Sequence, residues 1–268
     1  MEPGDGAYAQ PTPRRLYIHD DLTDDVARDL GRASPAADAA RGLIALLARD
    51  ARVRVITLAE QVEAVAARGP HAPFEVAIGI GAAGQRVART LHERAGWFPA
   101  IRRVGLTREE DGAGGYRLTS TEGGGLTERL ADLAGCSSVA VVDDTVFSGL
   151  TMKGLIGALP ASPRARTHAF CLRGVAESIA SVAALCPITA GVAAPGRMLH
   201  DVSFINASGL VRRIAIRRPG QPPLAFFDRP EWIRAWFPDT HEQVLALSRE
   251  LNALLEPATR SGDGPPSG

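Results

Sequence analysis

Val139-Ala-Val-Val-Asp-Asp-Thr-Val-Phe-Ser-Gly-Leu-Thr151 decides how this chain is read. Residues 139–142 are an unbroken apolar run, the pattern of a strand buried on both faces of a parallel sheet. Asp143 and Asp144 follow at its C-terminal edge, the edge at which open parallel sheets bind ligands. Neighbouring residues at a strand end point in different directions, so the two carboxylates can engage two adjacent hydroxyls, or a hydroxyl and a metal-bound water. Thr145, Ser148, Gly149, Leu150 and Thr151 then turn the chain into a predicted helix over 149–159. Backbone N–H groups at that helix start, with two side-chain hydroxyls, suit a phosphate monoester. A plainer reading makes the acids turn residues and Ser148 a helix cap, but capping requires neither two carboxylates nor a second hydroxyl.

Upstream, residues 74–80 form another continuous apolar strand that runs into Gly81, Ala82, Ala83 and Gly84, with a helix predicted over 85–94. Small residues here let an oxyanion approach the backbone at a helix start. With Gly79 the segment also spells G-x-G-x-x-G, the dinucleotide fingerprint. That reading expects an acid at the end of the next strand, which instead carries Arg102 and Arg103, so it would require NADP. Simple strand-to-helix packing is the third possibility.

Outward from these loops the pattern alternates. A helix is predicted over 34–50 with Ser34 as N-cap and Pro35 in its first turn, then a strand over 53–58 and a helix over 59–68. Further strands are predicted over 101–106, 167–172 and 188–193, and helices over 126–134 and 176–185. Such alternation implies an α/β fold, a parallel sheet with helices on both faces. Residues 107–125 contain six glycines and no apolar periodicity, and read as a long functional loop. Residues 202–205 and 210–216 read as a hairpin, 229–237 as a short aromatic-rich segment, and 240–255 as a helix. Residues 1–13 and 259–268, rich in Gly and Pro, are expected to be disordered tails flanking one domain over 14–258.

Composition narrows the partners. Thirty basic and thirty acidic residues cancel to a formal charge of zero, so no global field attracts nucleic acid or anionic lipid. No apolar run approaches the ~20 residues of a membrane helix, and the N-terminus lacks a signal-peptide pattern. The expectation is a cytoplasmic protein. Cys136, Cys171 and Cys186 have neither disulfide nor zinc-site spacing and read as free thiols.

The segment Val139 to Thr151 resembles the PRPP-binding signature of type I phosphoribosyltransferases in the order and spacing of Asp143, Asp144, Ser148, Gly149 and Thr151. The Gly79–Gly84 turn is similar to the family's pyrophosphate loop, and residues 107–125 stand where the family has its flexible catalytic loop. The resemblance covers roughly residues 74–173. It implies that Asp143 and Asp144 bind the ribose hydroxyls, that Thr145 and the Ser148 to Thr151 loop bind the 5-phosphate, and that Gly81, Ala82, Ala83 and Gly84 bind pyrophosphate. It further implies Mg²⁺ held mainly by substrate and water, with no protein metal ligand assigned. Family members often carry lysine or arginine in or beside the flexible loop. The only lysine here is Lys153, so Arg108 and Arg117 are the catalytic candidates in the loop and Arg102 and Arg103 the pyrophosphate candidates beside it. The resemblance implies PRPP and a small-molecule acceptor as partners, and a homodimer as one common assembly.

In the family a variable hood holds the acceptor. Candidates here are residues 17–25, with Asp20, Asp21, Asp24 and Asp25, and residues 199–238, with Phe226, Phe227, Trp232, Trp236 and Phe237. Neither carries a recognisable nucleobase signature. An acidic hood would suit a cationic acceptor such as an aminoglycoside of antibiotic biosynthesis; the same acids also fit a helix start. Two further classes stay open: a non-catalytic PRPP or nucleotide sensor, in which Arg212, Arg213, Arg217 and Arg218 would meet a partner, and an NADP-dependent oxidoreductase resting on Gly79–Gly84.

Overall fold

The computed structural model describes residues 12–69, 73–110, 116–120, 124–216 and 222–260. In chain order the elements begin with β1 (Arg15–Asp20), α1 (Thr23–Leu30), α2 (Pro35–Leu47), β2 (Val53–Thr57), α3 (Leu58–Arg68), β3 (Val76–Ile80) and α4 (Gly81–Ala95). There follow β4 (Ile101–Val104), β5 (Leu106–Glu110), β6 (Tyr116–Ser120), α5 (Leu126–Arg129), β7 (Val139–Val146), α6 (Leu150–Ala158) and α7 (Ala161–Arg164). The chain closes with β8 (Thr167–Val175), α8 (Ala176–Ala183), β9 (Ile188–Ala194), β10 (Val202–Asn206), α9 (Ala207–Val211), α10 (Pro230–Trp236) and α11 (His241–Arg260). These elements form two compact units, one from Ala59–Gly196 and one from the two flanking segments.

The Ala59–Gly196 unit is the expected parallel sheet with helices on both faces. Its strand order is β4-β3-β7-β8-β9, all parallel. On one face Ile78, Val139, Val141, Ala169 and Cys171 pack under Met152, Leu155 and Ile156 of α6 and Val182 of α8. On the other, Ala77, Ala140, Val142, Phe170 and Leu172 pack under Val62 and Val65 of α3 and Val87, Ala88 and Leu91 of α4. This strict alternation explains why these strands read as continuous apolar runs. Numbered from β3, the order is second, first, third, fourth, fifth, so the direction of winding reverses between β3 and β7. Ligands of open α/β sheets bind at such a reversal.

The unit of the flanking segments has a parallel sheet of its own, β10-β1-β2. Its core joins Ile18, Leu22, Leu43 and Leu47 to Phe237, Val244 and Leu251. The clustered aromatics belong to it: Trp236 and Phe237 are buried, and Phe226 stacks on Trp232 while both meet Trp236 edge-on, with centroids 4.8 to 5.7 Å apart. Arg52 ties distant stretches together by donating to Asp50, to the Pro13 carbonyl at 3.2 Å and to the Trp236 carbonyl at 2.8 Å. Ser34 caps α2 as expected, accepting from the Ala37 N–H at 3.2 Å.

Several sequence expectations are corrected. Residues 106–110 and 116–120 are not a structureless loop but the antiparallel hairpin β5–β6; the glycines surrounding these short strands mask their alternation. Gly112, Gly114, Gly115 and Gly123 lie outside the described residues. The strand expected over 101–106 ends at Val104, and Leu106 opens the hairpin. No hairpin joins 202–205 to 210–216: β10 pairs in parallel with the unforeseen β1, and residues 207–211 are helical. Sequence alternation carries no information about so distant a partner. Residues 259 and 260 continue α11, while residues 1–11, 217–221 and 261–268 lie outside the described residues.

Candidate functional site

The two loops singled out in the sequence meet at the reversal between β3 and β7. Gly79 pairs with Val142 in register, so Ile80, the last residue of β3, stands beside Asp143 of β7. Helix α4 begins at Gly81, four residues earlier than predicted, and its start lies against the end of β7. A Cβ on Gly84 would sit 2.4 Å from the Val142 carbonyl oxygen and 3.3 Å from Asp143 Cα. A Cβ on Gly79 would sit 2.4 Å from the backbone of Gln85. Gly79 and Gly84 are thus required by helix-on-strand packing. Gly81 is different: its φ is +61° and open space surrounds the position of a Cβ, so it shapes the turn itself.

β7 continues to Val146, four residues beyond the predicted end, so Asp143, Asp144 and Thr145 are strand residues. All three are half-buried. Asp143 Oδ1 accepts the Asp144 N–H at 2.9 Å. Asp144 Oδ2 accepts the Thr145 hydroxyl at 3.1 Å and an Arg173 guanidinium N–H at 3.2 Å. Beyond the acids Gly149 takes φ +73° and is pressed on α8: its Cβ would meet Val182 Cγ2 at 3.2 Å and Ser178 O and Ser181 Oγ at 3.3 Å. Ser148 Oγ accepts the Leu150 N–H at 3.4 Å, Leu150 is exposed, and Thr151 is buried in the first turn of α6.

Neither α4 nor α6 has an acid in its first turn, whereas α1, α2 and α8 do; α4 has no side-chain cap bond, and at α6 Ser148 Oγ takes the Leu150 N–H. The first N–H groups of a helix have no intrahelical partner and carry the positive end of its dipole. Two such ends flank Asp143 and Asp144. That pattern, anion acceptors on both sides of a carboxylate pair, matches a ligand with phosphate at two ends and hydroxyls between.

Other candidates fall differently. Arg103 stands opposite Gly79 in β4. Arg102, one residue away and so on the other face, donates to both Asp132 oxygens at 2.8 Å and to the Arg129 carbonyl at 2.6 Å, a structural engagement. Arg108 lies opposite Leu118 and Arg117 opposite Glu109 in the hairpin. Asp20 caps α1 through the Thr23 N–H at 3.0 Å, Asp21 accepts the Ser208 N–H at 2.8 Å, and Asp25 pairs with Arg28 at 2.7 Å. These contacts fit the helix-start reading of Asp20, Asp21 and Asp25. Cys171 is buried beside the acids, and burial followed by the Asp143 and Asp144 charges pushes its thiol well above the usual range, so it is no nucleophile.

Sequence reading missed Arg173 and Gln61. Arg173 is 2% exposed and donates to both Asp144 and, at 3.2 Å, Gln61 Oε1. The available signal was a lone charge, Arg173, in the otherwise apolar end of β8, Phe170 to Val175.

No protein-family model and no curated protein matches the chain. Solved structures do resemble it. A hypothetical protein from Neisseria gonorrhoeae with bound ppGpp is 18% identical over 56% of this chain and 85% of its own, with a TM-score of 0.40. A purine phosphoribosyltransferase from Pyrococcus horikoshii is 17% identical over 56% of this chain and 89% of its own, TM-score 0.38. An orotate phosphoribosyltransferase from Aeropyrum pernix is 18% identical over 50% and 70%, TM-score 0.33. The fold of the Ala59–Gly196 unit is α/β, a five-stranded parallel sheet with helices on both faces. Among the described residues, no helix is long and apolar enough to cross a membrane.

Proposed function

We propose that this chain is a PRPP-dependent phosphoribosyltransferase that moves 5-phosphoribosyl to a small-molecule acceptor and releases pyrophosphate. One observation carries the reading: the acid-free starts of α4 and α6 flank Asp143 and Asp144 at the sheet's winding reversal. The turn Gly81, Ala82, Ala83 and Gly84 would take the diphosphate, and Ser148 to Thr151 the 5-phosphate. Asp143 and Asp144 would take the ribose hydroxyls between them.

The bond from C1 to the diphosphate oxygen breaks, its electron pair leaving with the diphosphate, while an acceptor lone pair forms the new bond to C1. Positive charge grows on the ribose beside two carboxylates and negative charge grows on the leaving group at the α4 N-terminus, so both ends of the transition state meet opposite charge. Arg103 would add to the diphosphate end. The hairpin, through Arg108 and Arg117, would close over the reacting bond and exclude water, the competing nucleophile. Mg²⁺, when bound, neutralises the leaving diphosphate. Among the described residues no group of three or more His, Cys, Asp or Glu side chains could hold a metal alone.

The test is pyrophosphate release from PRPP and Mg²⁺ across a panel of nucleobases, orotate and aminoglycosides. Release that depends on one acceptor is expected. PRPP binding without release under any acceptor would make the chain a sensor, and binding of NADPH in place of PRPP would return Gly79–Gly84 to the dinucleotide reading.

A further inference from the structure

We infer that Arg173 is a positioning residue for Asp144, and through it for the ribose end of the proposed substrate. This rests on the phosphoribosyltransferase reading and adds a residue that its motif does not contain.

Arg173 lies in β8, directly across from Thr145 in β7. Its side chain is 2% exposed, against 27% for Asp144, so the pair is a charge inside the unit holding a charge at its surface. A buried guanidinium is tolerated where its charge is matched and its N–H groups are hydrogen-bonded. Here Asp144 supplies charge and Gln61, itself fully buried on α3, supplies a second acceptor. Both donors reaching Asp144, Arg173 and the Thr145 hydroxyl, converge on Oδ2. Among the described residues Oδ1 receives no donor, so one oxygen is anchored and the other is presented to a ligand.

The arrangement also solves a problem of the motif. Two adjacent half-buried carboxylates repel each other and would otherwise swing apart. Asp143 is held by the Asp144 N–H, a contact within the strand end. Asp144 is held from the neighbouring strand, which fixes its carboxylate relative to the sheet rather than to the loop. α3 backs the clamp: a Cβ on Gly191 of β9 would meet both the Gln61 and the Leu172 carbonyl oxygens at 2.7 Å, so the helix carrying Gln61 sits tight on the sheet. A ligand carboxylate fixed in advance loses less freedom on binding.

The test combines PRPP calorimetry in Mg²⁺ with thermal melts on the full chain for wild type, Arg173→Met, Arg173→Lys, Asp144→Asn and Arg173→Met/Asp144→Asn. Positioning predicts at least a tenfold loss of PRPP affinity in Arg173→Met and recovery to within about threefold in Arg173→Lys, which keeps charge and a donor. It also predicts that the double variant binds no worse than Asp144→Asn alone, because the two residues act as one unit. Arg173→Lys and Asp144→Asn keep the test alive should Arg173→Met melt below the assay temperature. Wild-type affinity in Arg173→Met, or additive losses in the double variant, would overturn the inference while leaving the functional reading intact. A wild-type chain that binds no PRPP would overturn both, and is distinguished by that first titration.

Discussion

The Val142 carbonyl of β7 lies directly beneath Gly84 of α4, so close that a Cβ there would stand 2.4 Å from the oxygen. This approach brings the glycine turn after β3 and the acid pair in β7 into one site. It separates the glycines of the turn into two kinds. Gly84→Ala must displace backbone and should cost about 1–3 kcal/mol of stability, as overpacking does. Gly81→Ala meets open space and pays only the left-handed backbone, about 1–2 kcal/mol. Urea unfolding of both variants checks the order, with Gly84→Ala expected to retain no more stability than Gly81→Ala.

Gly149 joins both constraints, a φ of +73° and packing against Val182 and Ser178 of α8. Gly149→Val should therefore shift the loop that opens α6 and reduce PRPP affinity by at least tenfold while the sheet stays folded. Calorimetry with circular dichroism on the same sample reads both. Unchanged affinity would remove the loop from the phosphate site.

Much of this site was legible because its signals are local. The apolar run at Val139 to Val142, the acids behind it and the glycine turns each follow from a few adjacent residues, and Ser34 with Pro35 announced α2 in the same way. What stayed hidden depends on partners far along the chain. Asp144 is clamped by a residue 29 positions away and that residue by one 112 positions away. β1 finds β10 across most of the sequence, and no short window encodes either pairing. The acids at 20, 21 and 25 fit the helix-start reading that the sequence also offered: Asp20 takes the first N–H of α1, Asp21 a Ser208 N–H and Asp25 the Arg28 side chain.

Acid should weaken the unit of the flanking segments through Asp50. Its hydrogen bond to Arg52 holds the carboxyl below the usual aspartate range. A depressed folded-state value gives stability that is complete above the unfolded aspartate range, about pH 4, and is lost as pH falls toward the folded value. Asp50→Asn should lower stability at pH 7 and narrow its gap from wild type as pH falls below about 4. Chemical unfolding of both proteins across that range tests it; a constant gap would deny the linkage.

The thiols should be largely silent. Cys171 and Cys186 are buried, and burial pushes the Cys186 thiol up to about 11, while Cys136 is half-buried beside Glu75. A thiol-specific chromogenic reagent should titrate at most one cysteine, slowly, in the native chain and all three after denaturation. Cys136→Ser should abolish the native reaction.

The most direct measurement is titration calorimetry of the full chain with PRPP, with and without Mg²⁺. The account predicts one site per chain with micromolar affinity that depends on Mg²⁺ and falls in Asp144→Asn. No heat of binding from PRPP under either condition would contradict it.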